Sequence, residues 1–136
     1  NIERLCEMFS SEFDYKSFSL LDIGCGSGIS TFFFHQKYDF DRCDGFDFSS
    51  NLIGLANKNK KIINRDGVDT SSISFNIADA KKIKLQDKRY ALFMFNPFGW
   101  ETMSEFVSNN IEVLQKNNSV ILYANDICVG RPIENL

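Results

Sequence analysis

Phe18-Ser19-Leu20-Leu21-Asp22-Ile23-Gly24-Cys25-Gly26-Ser27-Gly28 is the stretch that decides the fold. An apolar run leads into Asp22. Three glycines follow at alternate positions, and Ile29-Ser30-Thr31-Phe32-Phe33-Phe34 continues beyond them. This order reads as a buried parallel strand, a tight loop and a helix that packs back on the strand. Glycine has no Cβ, so a ligand can come close to the bare backbone of such a loop. The carboxyl end of a parallel strand is where nucleotide-like cofactors lodge in doubly wound folds.

The glycine spacing discriminates among cofactors. A dinucleotide fold wants Gly-x-Gly-x-x-Gly. The place of its third glycine here holds Ile29, a β-branched residue where close helix–strand packing wants none. The pattern from Asp22 to Gly28 is instead Asp-x-Gly-x-Gly-x-Gly. An isolated glycine triplet can also be a turn without a ligand, so the rest of the chain has to decide.

Outward from the loop, strands and helices alternate. Ile2, Leu5, Cys6, Phe9 and Phe13 mark one face of an opening helix. Strands are expected over 18–23, 42–48, 73–77, 90–95 and 119–124. Crossover helices are expected over 30–37, from Ser49 or Ser50 to Lys61, and over 100–116. Asp66-Gly67 marks a turn in a polar loop over 64–72, and 81–88 is a charged connection. Such alternation implies an α/β doubly wound parallel sheet with right-handed crossovers. Its ligand edge would collect the residues that end the strands: Asp22 to Gly28, Asp47, Asp79 and Asn96.

Composition narrows the classes. The chain has 136 residues, 43% of them hydrophobic, with 14 phenylalanines, so one domain with a real core is expected over 1–136. A net charge of −3 argues against a mainly electrostatic nucleic-acid binder. Lys58, Lys60 and Lys61, and Lys81, Lys82 and Lys84, read as solvated faces. Cys6, Cys25, Cys43 and Cys128 show no Cys-x-x-Cys spacing and read as reduced thiols of a cytoplasmic protein. With His35 as the single histidine, no metal-ligand cluster is expected, and a catalytic role for His35 is not favoured. No apolar run approaches the ~18 residues of a membrane helix. No secretory leader is visible, but the chain opens on Asn1 rather than Met.

Asp47, ending a strand, suits a ribose diol, because a carboxylate can accept both hydroxyl protons. It could equally cap the helix that begins beside Ser49. Taken alone, Asp79 reads as a solvated turn aspartate and Asn96-Pro97 as the end of a strand.

Taken in order, Asp22, Gly24, Gly26, Gly28, Asp47, Asp79 and Asn96 resemble the motif set of the class I S-adenosylmethionine-dependent methyltransferases. The resemblance runs from Leu20 to Ala124. Phe95-Asn96-Pro97-Phe98-Gly99 looks like the Asn/Asp-Pro-Pro-Tyr/Phe loop of amino-group methyltransferases, with Phe98 in place of the second proline. A shorter Asn-Pro-Phe version is similar to that of uncharacterised bacterial methyltransferase-like proteins.

The family implies strand order 3-2-1-4-5 and a C-terminal antiparallel hairpin not found in these residues. Either the chain is a fragment or the fold is trimmed. The family also implies S-adenosylmethionine held by Asp22, Gly24, Cys25, Gly26, Ser27, Gly28, Asp47, Phe48, Asp79, Ala80 and Asn96. Asn96, Pro97 and Phe98 would face a methyl acceptor of unknown class, an amine or a hydroxyl. Two other readings stay open. One is a different adenosyl-cofactor enzyme on this fold, such as an aminopropyl transferase or a nicotinamide oxidoreductase, the latter disfavoured by Ile29. The other is a cofactor-binding module or partner subunit without catalysis. Oligomeric state is not legible in the sequence.

Overall fold

Alternation along the central strands divides the apolar residues between two cores. The computed structural model describes residues 14–95 and 100–124. Strand β1 (Ser19–Ile23) is buried throughout. It sends Leu20 to one side, and Leu21 and Ile23 to the other. Strand β4 (Tyr90–Phe95) does the same, with Ala91 and Phe93 opposite Leu92 and Met94. Such unbroken apolar strands require cover on both faces, which is the condition of a parallel sheet.

The remaining strands are β2 (Arg42–Asp47), β3 (Ile73–Ile77) and β5 (Val120–Ala124). All pairings are parallel, in the order β3-β2-β1-β4-β5. This is the expected doubly wound arrangement. Helices α1 (Ile29–Lys37) and α2 (Ser50–Arg65) cover one face. There Phe32, Phe34, Ile53 and Ala56 meet Cys43, Phe75 and Phe93. The Phe34 and Phe93 rings meet edge to face, 4.9 Å between centroids. Helix α3 (Trp100–Lys116) covers the other face with Met103, Phe106 and Leu114.

Most boundaries fall within a residue of expectation. Helix α2 runs a turn further than the lysine run suggested. Ile63 still packs on the core, and the helix stops at Asp66 with Gly67 in the left-handed region at φ 95°. The terminator is thus a glycine beyond the last turn rather than a change of charge. The charged connection contains a short 3-10 turn, Ala80–Lys82. The expected opening helix, and the Asn96-Pro97-Phe98 loop, lie outside the described residues. Among the described residues no helix is long and apolar enough to cross a membrane.

Candidate functional site

Between β1 and α1 the chain turns through Gly24, Gly26 and Gly28, at φ 79°, 56° and 91°. Left-handed backbone costs a side chain ~1–2 kcal/mol, so the alternate glycines are what let the loop turn this way. Their surroundings differ. A Cβ on Gly28 would lie 2.7 Å from the Phe75 ring and 3.0 Å from Phe32. Gly28 is therefore the glycine of close helix–sheet approach. Ile29, beside it, is 73% exposed and does not press on the sheet. A Cβ on Gly26 would meet nothing within 4 Å, so its bare backbone faces open space.

The loop is fixed from β2. Gly24 and Cys25 donate their N–H groups to the Phe46 carbonyl at 2.7 and 2.9 Å. Gly26 donates its N–H to Asp47 Oδ2 at 2.9 Å, while Asp47 Oδ1 accepts from Ser49 N–H at 2.8 Å. Asp47 thus braces both the glycine loop and the entrance to α2, where the Ser49 hydroxyl accepts from Leu52 N–H. The N-cap is Ser49 rather than Asp47, which braces the cap residue from outside the helix, and the Asp47 carboxylate still has lone pairs for a further donor.

Asp22 lies beneath the loop and is 1% exposed. Its Oδ2 accepts from the Ser30 and Thr31 hydroxyls at 2.5 and 2.7 Å. Burial pushes its pKa up to about 6; the two hydroxyls oppose that shift, and the Asp47 charge adds to it. Sequence reading missed Ser30 and Thr31. The signal was two hydroxyl residues in the first turn after a glycine loop led by a carboxylate.

Ile23, Gly24, Phe46, Asp47, Phe48, Ala78, Ala80 and Ile83 line a cleft of about 80 Å³ at the carboxyl edge of the sheet. Phe48 is 81% exposed at its rim. Asp79 precedes the 3-10 turn and accepts from Lys81 N–H at 3.0 Å, so it forms a turn next to the cleft. The structure therefore gathers Asp22, Gly24, Gly26, Asp47, Phe48, Asp79 and Ala80 at one edge. Phe46, Ala78 and Ile83 join them without any motif to announce them. Ser27 sits on the loop, its carbonyl accepting from Asn59 Nδ2 at 3.2 Å. Asn96, Pro97 and Phe98 lie outside the described residues.

Other candidates have structural partners. Burial pushes the Cys25 and Cys43 thiols up to about 12, which disfavours the nucleophilic thiolate. His35 Nε2 pairs with the Asp69 carbonyl at 2.8 Å. Lys60 Nζ donates to the Ile73 carbonyl at 2.6 Å. Among the described residues no group of three or more His, Cys, Asp or Glu side chains could hold a metal ion.

The sequence profile of a family described as "Methyltransferase domain" matches residues 20–117. The chain belongs to that methyltransferase domain family. No curated protein matches it by sequence. Solved structures do. The plantazolicin methyltransferase BpumL, in complex with a triazolic desmethylPZN analog and SAH, is 21% identical, with a TM-score of 0.64. The match covers 91% of this chain and 45% of that one. Magnesium protoporphyrin IX methyltransferase (ChlM) from Synechocystis PCC 6803, with bound SAH, is 14% identical at a TM-score of 0.66. There 90% of this chain and 52% of the other are covered. The PH0226 protein from Pyrococcus horikoshii OT3 is 23% identical, TM-score 0.64, covering 90% and 55%. These likenesses are of fold, and this methyltransferase domain spans about half the length of the structures it matches.

Proposed function

We propose that this domain binds S-adenosylmethionine and transfers its methyl group to an acceptor whose class is open. The observation that carries the reading is the charge of the loop. A dinucleotide loop offers helix N–H groups to a diphosphate. Here Asp47 occupies the Gly26 N–H, and the buried Asp22 lies under the first turn of α1. Asp47 suits a ribose diol in either cofactor class, so the discrimination rests on the buried Asp22 carboxylate, which repels a diphosphate and favours a cofactor that carries an ammonium and a sulfonium. The open space over Gly26 is offered to its amino-acid portion, and the small cleft from Phe48 to Ile83 to part of its adenosine. SAH bound to two of the structural neighbours supports the same choice.

In this reading Gly24, Cys25, Gly26, Ser27 and Gly28 present backbone to the amino-acid end. Asp22 holds the loop to α1 and supplies a negative field under the ammonium. Asp47 takes the ribose diol, Phe48 covers the base, and Asp79 with Ala80 faces the adenine amine. The bound cofactor supplies an activated methyl group, so the chain needs no nucleophile of its own. Its task is to hold the acceptor atom in line, about 3 Å from the methyl carbon. Asn96, Pro97 and Phe98 are proposed for that side on their motif alone. Residues 1–136 are proposed as one domain. A cytoplasmic setting is supported by the buried free thiols of Cys25 and Cys43.

Calorimetry with S-adenosylhomocysteine and with NAD tests the cofactor. Binding of the first and not of the second is expected. Tight NAD binding with no response to S-adenosylhomocysteine refutes the proposal. Methyl-labelled cofactor with a panel of amines and hydroxylated metabolites then separates a transferase from a module that binds without turnover.

A further inference from the structure

The wall of the cleft that carries Asp79, Ala80 and Ile83 is a connection with little structure of its own. After β3 it makes one 3-10 turn and then runs without regular hydrogen bonding to β4. A wall that discriminates between bases has to hold its polar groups to within a fraction of an ångström, and an irregular segment does not do so unaided. The support comes from one helix. Asn110, on α3, is 4% exposed. Its Nδ2 donates to the Ile83 carbonyl at 3.0 Å and to the Phe106 carbonyl at 2.9 Å. Its Oδ1 accepts from Leu85 N–H at 2.9 Å. Both amide donors and the carbonyl are thus used, two of the three bonds on the cleft wall and one on its own helix. Asn109, beside it, donates to the Lys81 carbonyl at 3.0 Å. Lys81 in turn gives its N–H to the Asp79 carboxylate. Asparagine pairs in the last turns of an amphipathic helix read as surface, so the sequence alone gave no reason to single them out.

We propose that Asn110, assisted by Asn109, is a positioning residue that sets the base selectivity of the cleft. This rests on the adenosyl-cofactor reading above. Asn110 holds Ile83 and Leu85, Asn109 holds Lys81, and through Lys81 the Asp79 carboxylate is aimed. A purine with an exocyclic amine donates to that carboxylate. The same purine with a carbonyl oxygen there presents an acceptor to an acceptor and is rejected. The discrimination survives only while Asp79 cannot swing away, and α3 supplies that restraint.

The test compares S-adenosylhomocysteine with S-inosylhomocysteine, which differ only at that exocyclic group, by calorimetry on the full chain. Wild type is expected to prefer the adenosyl ligand by tenfold or more. Asn110→Leu keeps the shape and removes all three bonds. It is expected to bring the ratio to within about threefold of unity, a loss on the scale of one hydrogen bond. Asn109→Ala, at an exposed position, keeps the fold and is expected to reduce the ratio by a smaller factor. It serves if Asn110→Leu does not fold. Leu114→Ala is the control: it weakens the same helix through the core but removes no hydrogen bond to the connection, so it should lower the unfolding midpoint and leave the ratio intact. An unchanged ratio in folded Asn110→Leu and Asn109→Ala overturns the inference. So does an equal loss of ratio in Leu114→Ala, which would make the effect one of stability. A wild type that binds S-adenosylhomocysteine without preference over the inosyl ligand also overturns it. A wild type that binds neither ligand refutes the cofactor reading itself.

Discussion

Replacing Gly28 by alanine places a methyl group where the fold has no room and the backbone no tolerance. At φ 91° an L-residue is strained by ~1–2 kcal/mol. The new Cβ would also lie 2.7 Å from one atom of the Phe75 ring and 3.0 Å from another, with Phe32 at 3.0 Å on the same side. Phe75 and Phe32 are 6% and 7% exposed and meet edge to face at 5.3 Å, so neither ring has solvent to move into. Overpacking of that kind costs ~1–3 kcal/mol. The two effects together predict a loss of about 2–5 kcal/mol. A domain of this length has a total stability of roughly 7–20 kcal/mol at ~0.05–0.15 kcal/mol per residue.

Two other glycines separate the contributions. Gly26→Ala meets open space, so only the backbone strain of ~1–2 kcal/mol applies. Gly54→Ala, in the exposed part of α2 with nothing within 4 Å, should stabilise by ~1 kcal/mol through helix propensity. Urea unfolding of the three variants gives the order Gly54→Ala above wild type, Gly26→Ala below it and Gly28→Ala lowest. Phe75→Leu should then destabilise the Gly28→Ala protein less than it destabilises wild type, with a coupling of ~1 kcal/mol or more. Equal losses for Gly26→Ala and Gly28→Ala, with no coupling to Phe75, would refute the close-approach argument.

Asp47→Ala should weaken S-adenosylhomocysteine binding by roughly 2–4 kcal/mol, the scale of two charge-assisted hydrogen bonds. It also strips partners from the Gly26 and Ser49 N–H groups, so the unfolding midpoint should fall as well; unchanged affinity would move the ribose site elsewhere. Asp22 gives a pH signature. Its folded pKa of about 6 lies above the ordinary 3.8, so the folded state binds more protons between those values. Stability conferred by the neutral acid is therefore lost as pH rises from about 4 through about 6, by at most about 3 kcal/mol. Asp22→Asn keeps an acceptor for Ser30 and Thr31 and removes the ionisation. It should abolish that slope and exceed wild-type stability above pH 7, and a slope that persists in the variant would assign the proton to another group.

The sheet was legible because its rules act on short stretches. A strand buried on both faces must be apolar at every position, and Leu20, Leu21, Leu92 and Phe93 announce that without reference to partners. The strand-end residues were legible for the same reason: in a parallel sheet all carboxyl ends lie at one edge, so Asp22, Asp47 and Asp79 converge once the order of strands is known. What could not be read was pairing across the fold. Asn110 meets Ile83 and Leu85 across about two dozen intervening residues, and no spacing rule connects them. The end of α2 was misplaced because composition changes at the lysines, whereas the helix is stopped by the backbone freedom of Gly67.

Asp47 shows why a sequence assigns a residue more readily than a role. A carboxylate at the end of β2 is expected to bind a diol, and one ahead of a serine is expected to brace a helix entrance. The structure has it bonding to Ser49 N–H and to Gly26 N–H at once. A carboxylate has about four lone-pair positions, so two bonds leave room for a ligand's hydroxyls. The bonds from Gly26 and Ser49 hold the carboxylate in one orientation. Hydroxyls that dock there meet an acceptor already oriented, and the ordering cost has been met during folding rather than at binding. On the proposed ribose contact, the brace and the binding site would be one device, and a substitution at this position would disturb both.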